Sequence, residues 1–106
     1  MRVLFDQGTP APLRTFLVGH EVATAYERGW STLKNGDLLS VAEAEGFDVL
    51  VTTDTNLRYQ QDLASRRIAI VALSTTSWPR IKSAAKVVAA SVDAATRAGY
   101  IAVTIP

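Results

Sequence analysis

At 106 residues, with 48% hydrophobic content and a net charge of +1, the chain holds one folded domain, is too short for two, and is not of disordered composition. Without a cysteine it has neither a disulfide framework nor a thiolate zinc site. No apolar run reaches bilayer-spanning length, no repeat or low-complexity tract is visible, and the opening MRVLFDQG breaks its short apolar run at Asp6 instead of continuing as a secretory segment; cytoplasm without a membrane partner is the expected setting.

In chain order, residues 2–5 form a short apolar strand that runs directly into Asp6, and Gln7, Gly8 and Thr9 turn the chain. Thr9 and Pro10 are expected as N-cap and first position of a short helix ending at Leu17, with Leu13, Phe16 and Leu17 inward and Gly19 as its stop. HEVATA, residues 20–25, reads as a second strand. His20, the sole histidine, stands at a loop-to-strand junction, where bonding to nearby backbone is its expected role. The polar turn 26–33 carries Tyr26 and Trp30, and Trp30 is expected to fold back as a lid on the core.

The stretch NGDLLSVAEAEGFDVLVTTDTN, residues 35–56, organises the rest. Asp37 opens a helix whose apolar side is Leu38, Leu39, Val41, Ala42 and Ala44, and Gly46 is its expected stop. DVLVTT, residues 48–53, is a β-branched run that suits a strand buried on both faces. A helix of about ten residues rises roughly 14 Å and a six-residue strand roughly 20 Å, so an antiparallel return brings the helix start and the strand end to one edge. Asp37 and Asp54 are therefore expected close together.

Beyond Asn56, a helix is expected over residues 56–65 with Leu57 and Leu63 inward, then the buried strand IAIVAL, residues 68–73. Trp78-Pro79 begins a last helix that closes at Gly99 and presents Ile81, Ala84, Ala85, Val88, Ala89, Val92 and Ala95 on one face. So many small residues suit close approach to a sheet or to a second copy, which makes a homodimer an expectation. YIAVTI, residues 100–105, reads as an edge strand. The alternation predicts an α/β fold: a mostly parallel sheet of about five strands in a three-layer α/β/α arrangement.

Charge is distributed unevenly. From Asp37 to Asp54 there are five acids and no base, whereas Arg58, Arg66, Arg67, Arg80, Lys82 and Lys86 follow with only Asp62 among them. The same distribution fits ordinary solvated faces or an acidic pocket beside a basic flank. Asp6 ends the first strand, Asp54 ends the third and Asp37 starts the intervening helix, so three carboxylates are expected at the carboxyl edge of the sheet, where ligands bind in such folds. Hard oxygen ligands gathered in this way suit Mg²⁺ or Mn²⁺, and such an ion polarises a phosphodiester without any histidine or cysteine. Each aspartate also has a local reading: Asp54 in an Asx-type turn, Asp37 at a helix N-terminus, Asp6 capping the next turn.

The opening VLFD, the turn closing on a proline, the acid in NGDLLSVAEAEG, the strand DVLVTTD with TNL after it, and the closing YIAVTI together resemble the PIN-like domains, more narrowly a compact bacterial branch of them. The resemblance covers nearly the whole chain and implies a single PIN-like domain over residues 1–106. It implies a metal-dependent ribonuclease in which Asp6, Asp37 and Asp54 hold Mg²⁺ or Mn²⁺, with RNA as substrate. Many such proteins are toxins of toxin-antitoxin pairs, so an antitoxin protein is an implied partner. Two positions depart from the pattern: Asp54-Thr55-Asn56 stands where many relatives have D-x-D, and Gln7 where they often have glutamate. Asn56 is expected to join the metal through a neutral oxygen, and Gln7 to act in an outer shell, with weaker affinity as the result.

Arg58 and Arg80 are candidate phosphate contacts, since both lie just beyond strand or loop ends on the expected edge, and Thr53 is a further candidate for orienting a ligand. The missing acid motivates an alternative, a catalytically impaired module that binds RNA or protein. A third reading is a phospho-receiver-like regulatory domain with Asp54 as acceptor, although Asp6-Gln7 and the closing VTIP lack the acidic pair and lysine such domains carry. No G-x-G-x-x-G or Walker loop is present.

Overall fold

A computed structural model describes residues 1–60, 62–95 and 99–106. Five strands, β1 (Arg2–Phe5), β2 (Glu21–Thr24), β3 (Val49–Thr52), β4 (Ala69–Leu73) and β5 (Tyr100–Val103), form one all-parallel sheet in the order β2-β1-β3-β4-β5. Among the described residues four helices, α1 (Asn35–Ala44), α2 (Leu57–Gln60), α3 (Trp78–Ser83) and α4 (Ala85–Ala94), cover it with two 3₁₀ segments, Ala11–Phe16 and Leu63–Ser65.

Period-two alternation in the strands divides the core into two layers. Val3, Phe5, Val49, Val51 and Val71 face Leu13, Ile81, Val88 and Val92 on one side. Leu4, Leu50 and Ile70 face Leu38, Leu39 and Leu57 on the other. Every residue of β3 and β4 is buried, which explains why both strands read as unbroken apolar runs rather than alternating ones. The chain leaves β1 outward to β2 and returns on the far side of β1 as β3. The β1/β3 gap is thus the topological switch point, at whose carboxyl end ligands bind in open parallel sheets.

The helices depart from the sequence reading more than the strands do. The first is a 3₁₀ segment of six residues rather than an α-helix. Its N-cap is Pro10, without a side-chain cap, and Phe16 is 38% exposed against Trp78 rather than inward. Helix α1 starts at Asn35, two residues before Asp37, and stops as expected at Gly46, whose φ of 81° needs a residue without Cβ. The expected helix over 56–65 is two pieces, since the Asp62 side chain accepts from the Ala64 N–H and starts a new turn; Gln61 lies outside the described residues.

The long last helix breaks at Ala84, whose φ of −105° and ψ of 14° leave the helical region with no mark in the local sequence. Its expected course through 96–98 lies outside the described residues. Its small-residue face is committed to the sheet, with Ala85, Val88 and Val92 buried there. Strand β5 stops at Val103, yet Ile105 stays buried, its N–H donating to Ser74 Oγ (2.8 Å). No helix among the described residues is long and apolar enough to cross a membrane.

Candidate functional site

Two residues beyond Leu4 and Leu50, alternation turns Asp6 and Thr52 to the α1 side of the sheet, and the register that pairs Phe5 with Val51 sets them abreast. Thr52 is fully buried and its hydroxyl joins the two ends: it donates to Asp6 Oδ2 (2.5 Å) and accepts from the Asp54 N–H (3.0 Å). Asp6 Oδ1 receives Thr9 Oγ1 at 2.6 Å. That hydroxyl also lies 2.9 Å from the Val51 carbonyl, which already accepts the Asp6 N–H at 3.1 Å. With one hydroxyl proton available, the carboxylate is the stronger acceptor.

Asp54 is held from the other side. Its Oδ2 accepts from Asn35 Nδ2 (2.7 Å) in the first turn of α1, and its Oδ1 from the Asn56 N–H (3.0 Å), which closes an Asx turn. Every one of these donors is neutral. Among the described residues neither Asp6 nor Asp54 has an ion pair.

Asp37 stands apart from this arrangement. Asn35 shares the sheet-facing stripe of α1 with Leu38, Leu39 and Ala42, whereas Asp37 falls off that stripe and is exposed, with no hydrogen bond or ion pair among the described residues. It lies in the first turn, where the helix dipole favours its charge. Among the described residues no group of three or more histidine, aspartate or glutamate side chains is placed to hold a metal ion. Mg²⁺ commonly binds through one or two carboxylates, several waters and substrate phosphate, so the residues that could hold such an ion here are Asp6 and Asp54.

Of the remaining candidates, Asn56 contributes its backbone N–H rather than its side chain. Gln7 is exposed. Thr53 packs under Gly8, where an added Cβ would stand 2.4 Å from Thr53 Oγ1; it is its neighbour, Thr52, that donates to the Asp6 carboxylate and accepts from the Asp54 N–H. Arg80 donates to the carbonyls of Ile105 and Pro106 (both 2.9 Å) and ties down the closing segment. Arg58 donates to Tyr59 Oη (2.6 Å) and lies 4.8 Å from the Tyr59 ring centroid and 5.3 Å from that of Tyr100. Burial pushes the Tyr100 phenol above its ordinary pKa, Arg58 pulls it back, and the negative charges of Tyr59 and Asp54 add to the rise. Tyr100 is thereby within electrostatic reach of Asp54 and Arg58 together.

Sequence reasoning missed Thr9, Thr52, Asn35 and Tyr100. For Thr52 the signal was available: Asp6 follows Leu4, as Thr52 follows Leu50, by one strand period. His20 bonds to backbone as expected, its Nδ1 lying 3.1 Å from the Met1 terminal amine, and its Nε2 in addition lies 2.5 Å from Asp93 Oδ1, at the amino edge of the sheet. Trp30 does act as a lid, packing edge-on to Phe47 with centroids 6.0 Å apart.

The architecture therefore defines a class, a five-stranded parallel α/β protein with an acidic site at its switch point. Beyond that class, comparison with protein-family models, curated proteins and solved structures returns no match.

Proposed function

We propose that the chain is a divalent-metal-dependent endoribonuclease, of the kind its resemblance to PIN-like domains implies, with Asp6 and Asp54 as the metal-holding pair. The observation that carries this reading is the Asp6–Thr52–Asp54 linkage at the switch point, two carboxylates fixed in place by neutral donors with no ion pair among the described residues to offset their charge. Bound there, Mg²⁺ or Mn²⁺ polarises a phosphodiester and lowers the pKa of water beside it. The chain's own residues do the positioning. Thr9 and Thr52 orient Asp6, Asn35 orients Asp54, Asp37 adds negative charge at the same rim, and Arg58 supplies a cation for a substrate phosphate.

The test is cleavage of RNA with Mg²⁺ or Mn²⁺ by the wild type, Asp6→Asn and Asp54→Asn. The expected result is metal-dependent cleavage that falls by about 100-fold or more in both variants. Binding of RNA without metal-dependent cleavage would replace this reading with that of an impaired binding module. A toxin role adds a finer expectation: expression arrests growth, Asp6→Asn relieves the arrest, and an antitoxin protein masks the acidic edge.

One observation favours a second reading. The order β2-β1-β3-β4-β5 is that of phospho-receiver domains, with Asp54 just past β3 in the acceptor's place. Stable labelling of Asp54 by acetyl phosphate, together with no RNA cleavage, would establish it.

A further inference from the structure

Beside Asp6, on the side away from Asp54, lies a cleft of about 720 Å³, within the range of small-molecule sites. The turn 6–11 forms one wall, Thr24, Tyr26 and Glu27 a second, and Thr76 and Trp78 a third. Tyr26 is 76% exposed, a large ring surface with no packing role, and Trp78 is half-buried against Phe16, with ring centroids 6.1 Å apart. The charge of the cleft argues against a phosphate. Its one cation, Arg14, already donates to Glu27 Oε1 (2.6 Å), leaving two carboxylates, Asp6 and Glu27, against one guanidinium.

Glu27 is built into the wall. Its Oε1 accepts from Arg14 and from the Thr24 N–H (2.9 Å), while its own N–H donates to Thr24 Oγ1 (3.1 Å). Among the described residues Oε2 has no partner, so Glu27 keeps an open acceptor on a residue that lines the cleft, with an exposed aromatic ring beside it. The hydrogen bond from Arg14 holds this carboxyl below its ordinary pKa, which keeps it an acceptor only.

Resting on the ribonuclease reading, we infer that this cleft binds one unpaired nucleobase of the RNA, and that Glu27 selects bases carrying an exocyclic amino group over uracil. The base stacks on Tyr26, on Trp78 or between them, as aromatic platforms hold single-stranded bases. Its amino group donates to Glu27 Oε2, as a carboxylate accepts from cytosine N4, whereas uracil presents an acceptor carbonyl there. The sugar-phosphate then leads from the cleft to the metal-holding pair, of which Asp6, on the cleft wall, is the nearer member. Substrate in this scheme is single-stranded, because a paired base cannot enter.

The experiment measures binding of adenosine, cytidine and uridine to the whole chain without metal, by NMR shifts of cleft residues and quenching of tryptophan fluorescence. Adenosine and cytidine are expected to bind about tenfold tighter than uridine. In Glu27→Gln, whose amide both donates and accepts, that preference is lost or reversed. Tyr26→Ala, a change at an exposed position that leaves the fold intact by circular dichroism, weakens all three by about fivefold or more. Equal binding of uridine and cytidine, or shifts located elsewhere, would overturn the inference whether or not RNA is cleaved. Nucleoside discrimination in a chain that cleaves no RNA would support it while removing the nuclease reading.

Discussion

Two groups of acids, one at each edge of the sheet, are held in opposite ways. At the amino edge Glu43, 13% exposed, pairs with Arg66 (3.2 Å) and accepts from the Arg67 N–H (2.8 Å), while Glu45 pairs with Arg28 and Asp93 with His20. At the carboxyl edge Asp6 and Asp54 meet, among the described residues, only hydroxyl, amide and backbone donors. Acids neutralised by arginine hold the fold together. Acids held in position without a cation leave a net negative charge, and that charge is what a divalent ion would offset.

The comparison predicts a double dissociation. The largest effect is on activity: Asp6→Asn and Asp54→Asn abolish metal-dependent cleavage while their thermal unfolding midpoints stay level or rise, as expected when unneutralised charge is removed. Asp37→Asn, off the sheet-facing stripe, lowers cleavage by less than about tenfold, measured on the same RNA. At the opposite edge Glu43→Ala lowers stability by about 2 kcal/mol in urea unfolding and leaves cleavage of the folded protein unchanged.

Glu43 also gives the comparison a pH signature. Burial raises its pKa, but the Arg67 N–H and the Arg66 guanidinium outweigh that, so its folded value lies below the ordinary one. Its contribution is therefore complete above the unfolded value and lost as pH falls through the folded value. Glu43→Gln should flatten the acid limb of the stability profile.

Thr52→Val sharpens the account of the carboxyl edge. It strips a buried donor from Asp6 and an acceptor from the Asp54 N–H, at a cost of about 2 kcal/mol in urea unfolding and about tenfold in cleavage, and Thr52→Ser restores both. The smallest effect is Gly8→Ala, where the new Cβ forces Thr53 to move, costing about 1 kcal/mol by the same unfolding measurement.

The sheet was largely legible in the sequence, because a buried parallel strand announces itself as an unbroken apolar run, as β3 and β4 do, and the shorter apolar stretches of β1, β2 and β5 are bounded by turn residues. The helices were less legible. Local side-chain bonds, such as that of Asp62, compete with helix propensity, and the break at Ala84 has no local signal. For the site, chain order placed Asp6 and Asp54 at one edge, since both follow strands of a parallel sheet. It could not place Asp37, because one edge is not one face: starting α1 two residues earlier gives Asn35 the position facing Asp54. Thr52 was passed over for Thr53 because a threonine within a strand reads as a strand former, and only the register of β1 against β3 shows which one meets Asp6.

The most direct test is a titration of the protein with Mn²⁺, followed by paramagnetic broadening of its backbone amide resonances. The account predicts broadening centred on Asp6, Thr52 and Asp54 that disappears in Asp6→Asn and Asp54→Asn. Broadening centred on Glu43 and Asp48 at the amino edge, or none at millimolar Mn²⁺, would contradict it.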